Sequence, residues 1–520
     1  MADSTHLFVL IHGLWGSPNH MQTIERFLKE SIDNSVTNTK ISTLRPACFR
    51  FWKTYDGLEL NSKKIITEIF YEIESLKQKN NLNVTRISFI GYSLGGLLSR
   101  YVIGLLYELD FFKSVEPVFF TTFATPHVGV HFYNDNIFDS MANFLGPYMF
   151  GKTGGQLFIS DNGKILLNMA NPESIFYKGL LLFKRHILLA NIKNDRTVAF
   201  FTSFITEYSP FEELDEIKIK YIKNLPEARI ANKLVRPKFV DLTRTEKLSI
   251  VDKDQFKGNK QEETPFVRKN RWAKILFIIL LSTFLVPLWI PFVFTTSTMV
   301  SIYSFIKIKI HSIPEIESHW NRVKNFIYDN EPIDPEDYKM SEKQRERRLD
   351  LERHESFKGD TSHITENAMD NVLYAEERFM NKSRKPGTVE EDNNKSEDAL
   401  IEEKLSILST PTDKKLIDMN IQSNDEIIKD IQVLQDYKSF KLFTEDYKLP
   451  LDIGRLYIIS NLNKIEWVKI PVFLDVWNSH DGIVSRRGPK TNPKGAATIG
   501  LWVSILRNYL KEEKEEMEKL

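Results

Sequence analysis

The segment Ile87-Ser-Phe-Ile-Gly91-Tyr92-Ser93-Leu94-Gly95-Gly96-Leu97-Leu98 allows few local structures. A short apolar run of β character ends at Gly91, and an apolar run at helical spacing starts after Ser93. Between them, G-x-S-x-G reads as the sharp strand-to-helix turn that lifts a serine hydroxyl out of a sheet. Gly91 and Gly95 have a steric role there, because a side chain on either side of Ser93 would collide with the strained turn. The helix start behind Ser93 would aim free N–H groups and partial positive charge at an oxyanion forming beside the hydroxyl.

The flanking elements set the fold class. Leu7 to Ile11 is a continuous apolar strand, as expected for a parallel sheet covered on both faces. A helix is predicted over 19–29, a short strand over 41–44 and an amphipathic helix over 57–79, with Leu60, Ile65, Ile66, Ile69, Ile73 and Leu76 at helical spacing. The helix after Leu94 runs to about Leu109, and strands follow at 118–123 and 186–192. This alternation predicts an α/β fold with a doubly wound, mostly parallel sheet. Its first part spans 1–210, and its C-terminal part spans 447–512, with a strand within 469–477 and a closing helix over 495–509. Residues 130–183 are apolar and aromatic without sheet rhythm. They read equally as a lid or acyl-binding wall and as a helical insertion packing its own core. Residues 211–270 are mixed and charged, with a strand indicated at Arg236 to Leu242.

A serine nucleophile needs a base and an acid that orients it. His480 follows the last strand and precedes the last helix, and Asp195 lies just after a late strand, which gives the chain order Ser, Asp, His. Ser93, Asp195 and His480 are therefore the candidate catalytic residues for acyl transfer from an ester. Asp475 and Asp481 are rivals for the acid, although Asp481 adjoins His480 in sequence and would seldom reach the correct ring nitrogen. The backbone N–H groups of Leu14 and Leu94 are the candidate oxyanion donors. His12, Gly13, Gly91 and Gly95 support the two loops that carry them; His12 lies too early, inside the oxyanion loop, to be the base. His127 also sits at the C-terminal end of a strand, where such sheets put their sites.

No metal-ligand spacing and no phosphate-binding glycine loop before a lysine is present, so neither metal nor cofactor is expected. Lysine plus arginine balances aspartate plus glutamate at 70 each, which gives no bias toward nucleic acid. A single cysteine, Cys48, cannot form an internal disulfide and fits a reducing compartment. Met1 to Thr5 is too short and polar for a signal peptide.

From Ile275 to Ile306, 32 residues carry no Asp, Glu, Lys, Arg or His. One straight helix of that length would measure about 48 Å, against a hydrocarbon core of about 30 Å. Pro287 and Pro291 interrupt it near the middle. Arg268, Lys269, Arg271 and Lys274 precede it, and Lys307 and Lys309 follow it, so both ends favour the cytosolic side. A membrane hairpin over 271–310 is the economical picture; a tilted single span and a helix pair in a soluble core are the alternatives. A single span would put Asp195 and His480 on opposite sides. A short helix over 314–328 would emerge from the interface. Residues 311–446 are otherwise rich in Glu, Lys, Asp, Asn and Ser, which predicts a largely disordered charged insertion, with a short helix at 399–408. Residues 513–520 form a charged tail.

The stretches HLFVLIHGLWGS, FIGYSLGGLLSRY, FATPHVGV, NDRTV and NSHDGIV together resemble the serine esterases, or lipase-like α/β-hydrolases, of yeasts and other eukaryotes. The resemblance covers roughly residues 6–205 and 450–510, and the apolar stretch makes the chain most similar to the lipid-droplet phospholipases of that family in fungi. The family implies an α/β-hydrolase fold and acyl-ester hydrolysis of glycerophospholipids with broad head-group tolerance. The hairpin with its basic flanks suits the endoplasmic reticulum membrane or a lipid-droplet monolayer, with the site facing the cytosol. The residues alone imply an ester hydrolase near a membrane, whose partners are a lipid ester and a membrane or droplet monolayer. A neutral-lipid lipase or lipid-linked deacylase, and a catalytically silent droplet protein, are the alternatives. Protein partners are not indicated.

Overall fold

The computed structural model describes residues 3–248, 313–328 and 440–519, apart from 34, 134–136, 196, 224, 226–227, 231–232 and 477, together with the isolated positions 295, 299, 346 and 417–419. Those isolated positions aside, the uncharged stretch 275–306 and the charged insertion up to 439, including the helix expected at 399–408, lie outside the described residues. Among the described residues no helix is long and apolar enough to cross a membrane.

Six strands form the central sheet: β1 (Asp3–Ile11), β2 (Lys40–Leu44), β3 (Leu82–Tyr92), β4 (Glu116–Phe123), β5 (Arg185–Asn191) and β6 (Trp467–Val472). Their spatial order is β2-β1-β3-β4-β5-β6, and every neighbouring pair is parallel. The chain runs outward from β1 to β2 and then returns to the far side of β1 as β3. The crevice at that reversal opens beyond the carboxyl ends of β1 and β3, in register at Ile11 and Gly91. The loop His12-Gly13-Leu14 and Ser93 both follow at this point.

Helices cover both faces. The labels used here are α1 (Gln22–Ser31), α2 (Leu58–Asn80), α3 (Leu94–Glu108), α4 (Ile137–Met149), α5 (Ile313–Tyr328), α6 (Ile453–Leu462) and α7 (Pro493–Lys519). Alternate residues of β1 feed two separate cores. Leu7, Val9 and Ile11 pack with Ile65, Ile69, Leu97 and Leu98 of α2 and α3. Phe8 and Leu10 pack with Ile24, Phe27, Trp502 and Leu506 of α1 and α7. Trp502 is fully buried, and its ring meets Phe123 edge to face at 5.1 Å.

Two sequence expectations change. In place of a strand at Arg236 to Leu242, isolated pairings join Tyr221 to Val240 and Phe239 to Val472; the segment crosses the sheet edge too briefly to run a ladder. The helix expected to leave a membrane interface is present as α5, but its apolar edge is seated on protein. Ile316, Trp320 and Val323, at helical spacing, are buried, with the Trp320 ring 5.4 Å from Phe70 of α2. Arg322 also donates to Glu74 of α2 at 3.3 Å.

β6 carries a buried lysine between two apolar strand neighbours. The Lys469 ammonium donates to the Ile205 carbonyl at 3.1 Å and to Asn463 Oδ1 at 2.7 Å. Burial disfavours the charged form and lowers its pKa to about 7. An unfolded lysine titrates near about 10.4, so between the two values the unfolded chain binds more protons. Through this group, stability therefore rises as the pH climbs from about 7 toward about 10. Lys469→Met is expected to flatten that rise, read from urea unfolding of both proteins at two pH values in this window. Equal rises in the two proteins would refute it.

Candidate active site

Ser93 stands at the junction of β3 and α3 with φ 54° and ψ −125°, a conformation an L-residue adopts only under constraint. The constraint comes from β4 and the loop after it. Ser93 N–H donates to the Phe123 carbonyl at 2.9 Å, and Thr125 Oγ1 donates to the Ser93 carbonyl at 3.0 Å. Both flanking glycines are required by close approach. A Cβ on Gly91 would lie 2.3 Å from Gly96 Cα, and one on Gly95 would lie 2.0 Å from the Ile11 carbonyl oxygen. Gly13 comes equally near, since a Cβ there would be 2.7 Å from Ser93 Cβ and 3.3 Å from its Oγ.

Around the hydroxyl, the two remaining candidates converge from distant sequence. His480 Nε2 lies 3.0 Å from Ser93 Oγ. On the other side of the same ring, Nδ1 lies 3.1 Å from Asp195 Oδ2. The Asp195 carboxylate also accepts from Asn191 Nδ2 at 2.8 Å, from Val198 N–H at 2.8 Å and from Thr197 N–H at 3.2 Å. The three side chains are nearly buried.

Leu94 opens α3, and the first N–H groups of a helix have no acceptor within it. In the loop after β1, the Trp15 N–H donates to Thr54 Oγ1 at 3.1 Å and the Gly16 N–H to the Gly13 carbonyl at 3.1 Å. Leu14 lies between these and Gly13, the residue that approaches Ser93.

The rivals are engaged elsewhere. Asp475 is half exposed and pairs with Lys193 at 3.0 Å. Asp481 accepts from Arg486 at 3.0 Å and from the Tyr92 hydroxyl at 3.4 Å. Burial pulls the Asp481 pKa up, but the Arg486 guanidinium and the neighbouring His480 outweigh it and hold the carboxyl below its ordinary range. His12 is fully buried and stacked on Phe49 at 4.1 Å. Burial takes its pKa down to about 3 against the pull of the Gly13 carbonyl, so the ring stays neutral. His127 is buried with Nε2 2.9 Å from Thr122 Oγ1; burial and the nearby Arg100 push its pKa well down.

Several supporting residues were given no role by the sequence. Asn191, the last residue of β5, donates from the same Nδ2 to Asp195 and, at 3.0 Å, to the Ser479 carbonyl. Ser479 Oγ donates to the Lys193 carbonyl at 2.5 Å, and Asn194 Nδ2 to the Val476 carbonyl at 2.8 Å. These bonds sew the segment before His480 to the segment around Asp195. Asn478 caps the short helix Ser479–Ile483 by accepting from the His480 N–H at 3.1 Å, while the Tyr92 ring sits 5.0 Å from the imidazole. Polar residues in loops carry no periodicity, so a run of Asn and Ser between strands reads only as turn. Among the described residues, no group of three or more His, Cys, Asp or Glu side chains is arranged to hold a metal ion.

Residues 1–206 match the model of the family described as Putative serine esterase (DUF676). The match includes Ser93 and Asp195 and ends before His480. The chain is 28% identical over 225 residues, 41% of its length and 28% of the relative's, to "Putative lipase C4A8.10" of Schizosaccharomyces pombe. It is 28% identical over 276 residues, 50% of its length and 38% of the relative's, to "Putative lipase ROG1" of Saccharomyces cerevisiae. To "Putative lipase YDL109C" of the same yeast it is 30% identical over 211 residues, 39% of its length and 30% of the relative's. The chain thus spans between 28% and 38% of the length of these relatives.

Proposed function

We propose, from the match of residues 1–206 to the Putative serine esterase (DUF676) family model, that the chain is a serine-dependent lipid acyl hydrolase of α/β-hydrolase type, acting on glycerophospholipids. The reading rests on one observation above the rest, the hydroxyl–imidazole–carboxylate line with separations of 3.0 and 3.1 Å. In this mechanism Ser93 Oγ attacks the ester carbonyl while His480 Nε2 takes its proton. The tetrahedral oxyanion is held by the Leu14 and Leu94 N–H groups. As it collapses, His480 returns the proton to the departing lysolipid alcohol, and the acyl group stays on Ser93. Water activated by His480 then releases the fatty acid. Asp195 keeps the imidazole in the tautomer with its proton on Nδ1 and stabilises the cation. Losing one oxyanion donor costs about 3 kcal/mol of barrier.

The uncharged stretch 275–306, with basic residues on both flanks, supports a hairpin that keeps the protein on the endoplasmic reticulum or on a droplet monolayer with the site facing the cytosol. The test uses purified full-length protein and vesicles of mixed phospholipids beside a triacylglycerol emulsion. Mass spectrometry is expected to find fatty acid and lysophospholipid. Consumption of triacylglycerol alone would replace the phospholipase reading with that of a neutral-lipid lipase. Deleting 275–306 is expected to release the protein from salt-washed membranes, and retention there would refute the hairpin.

A further inference from the structure

Several apolar side chains stand out into solvent along the edge of the sheet where the strands end. α4 carries Met141, Phe144 and Tyr148 at i, i+3 and i+7, one stripe of a helix. This stripe faces outward, with Phe144 71% and Tyr148 59% exposed. The other side of α4 is the one that packs: Gly146 lies against the Phe158 ring, and the Pro147 carbonyl lies against Gly154. Ile453, the first residue of α6, is 87% exposed, and Trp15, in the loop after β1, is 45% exposed.

These residues come from three distant segments that are linked to one another by contacts, the first of them in the loop beside Ser93. Trp15 is two residues beyond Gly13, which touches the serine. Its ring lies 5.7 Å from Tyr55, and the Tyr55 ring lies 5.8 Å from Phe150, next to the end of α4. Asn143 of α4 exchanges hydrogen bonds with the Phe132 backbone at 3.0 and 2.8 Å. Two residues before Phe132, the Val130 carbonyl accepts from Arg455 of α6 at 2.9 Å. The exposed side chains therefore follow one continuous path from the serine's own loop to α6.

We propose that this edge is a lipid-contacting face, which sets Trp15, Phe144, Tyr148 and Ile453 into the boundary between headgroups and acyl chains of a phospholipid surface, so that the ester reaches Ser93 without passing through water. The proposal rests on the reading of the chain as a lipid ester hydrolase. Two observations favour lipid over a folded partner. The side chains protrude from three separate elements, Phe144 and Tyr148 as an edge-to-face pair on α4, and a fluid layer takes up such scattered knobs, whereas a folded surface would need a matching hollow for each. The set also includes Trp and Tyr, whose apolar bodies and polar edges suit the membrane–water boundary.

The test uses the full chain in a Cys48→Ser background with one added cysteine, Phe144→Cys, Ile453→Cys or, as control, Lys113→Cys. Lys113 is well exposed in the turn before β4, at the opposite edge of the sheet. Each variant is labelled with nitrobenzoxadiazole and mixed with phosphatidylcholine vesicles that carry a shallow nitroxide on the acyl chain. Dyes at 144 and 453 are expected to shift to the blue and to be quenched, and the dye at 113 to stay unchanged. Dyes at 144 and 453 that remain in water while the vesicles are hydrolysed would overturn the proposal. A blue shift that grows with protein concentration in the absence of vesicles would also overturn it, in favour of self-association. Combining Phe144→Ser with Ile453→Ser is expected to lower vesicle hydrolysis about tenfold and leave hydrolysis of soluble p-nitrophenyl butyrate within about twofold. Equal losses on both substrates would count against the face. Wild-type protein that hydrolyses neither substrate sinks the hydrolase reading, while the dyes still decide the lipid contact.

Discussion

Ser93→Ala is expected to fold as the wild type does and to hydrolyse p-nitrophenyl butyrate slower by a factor on the order of 10⁶. The substitution removes one oxygen from a nearly buried side chain and leaves the Ser93 backbone bonds to Phe123 and Thr125 in place, so circular dichroism and thermal unfolding should barely move. His480→Ala should cost about as much, and the double variant little more, because the two act as a unit. Asp195→Asn should cost about 10⁴. Asp195 Oδ2 accepts from both His480 Nδ1 and Asn191 Nδ2, and an amide nitrogen at that position would set two donors against each other or turn the ring to the wrong tautomer. A fluorophosphonate probe should label the wild type and not Ser93→Ala. Undiminished hydrolysis by Ser93→Ala would end the proposal.

Gly95→Ala is expected to cost at least about 100-fold in kcat/KM, with a fall in stability of about 1–3 kcal/mol. The added methyl would meet the Ile11 carbonyl oxygen at 2.0 Å and the His12 carbonyl oxygen at 2.7 Å. Both are backbone atoms at the carboxyl end of β1, so relief must come from moving that strand end or the start of α3. Either movement shifts the Leu14 and Leu94 N–H groups relative to Ser93. Gly155→Ala is the control, because the nearest atom to its methyl would be Ser160 Oγ at 3.6 Å, an ordinary contact. It should be neutral in both assays, and a Gly95→Ala protein as active as Gly155→Ala would show that the approach of β1 to α3 does not set the donors.

The sheet was legible because each strand that reaches the site is a short apolar run ending in a polar or glycine turn: Leu7 to Ile11 before His12, Ile87 to Ile90 before Gly91, His186 to Asn191 before Asp195. Local pattern could nominate Ser93, Asp195 and His480 as candidates. It could not show that Asp475 and Asp481 are held by Lys193 and Arg486, since ion pairs across loops have no spacing rule. Nor could it separate a lid from a packed insertion in 130–183. There Phe144 is the same residue type as Phe158, which lies against Gly146, and only the direction in which α4 rotates tells them apart. The seat of α5 was equally hidden: Ile316, Trp320 and Val323 make an apolar stripe that suits a membrane boundary and the back of α2 alike.

β6 completes the sheet by pairing along β5 from Trp467 opposite His186 to Val472 opposite Asn191, although about 275 residues of chain lie between the two strands. On a ribosome adding about 5–20 residues per second, β5 waits as an open edge for roughly 14–55 s. During that interval its unpaired amides and carbonyls are a template for the wrong strand, and Ser93 has no imidazole beside it. A nascent chain of this topology therefore lacks the His480 imidazole while it is most prone to mispairing, and gains it only after β6 has been made.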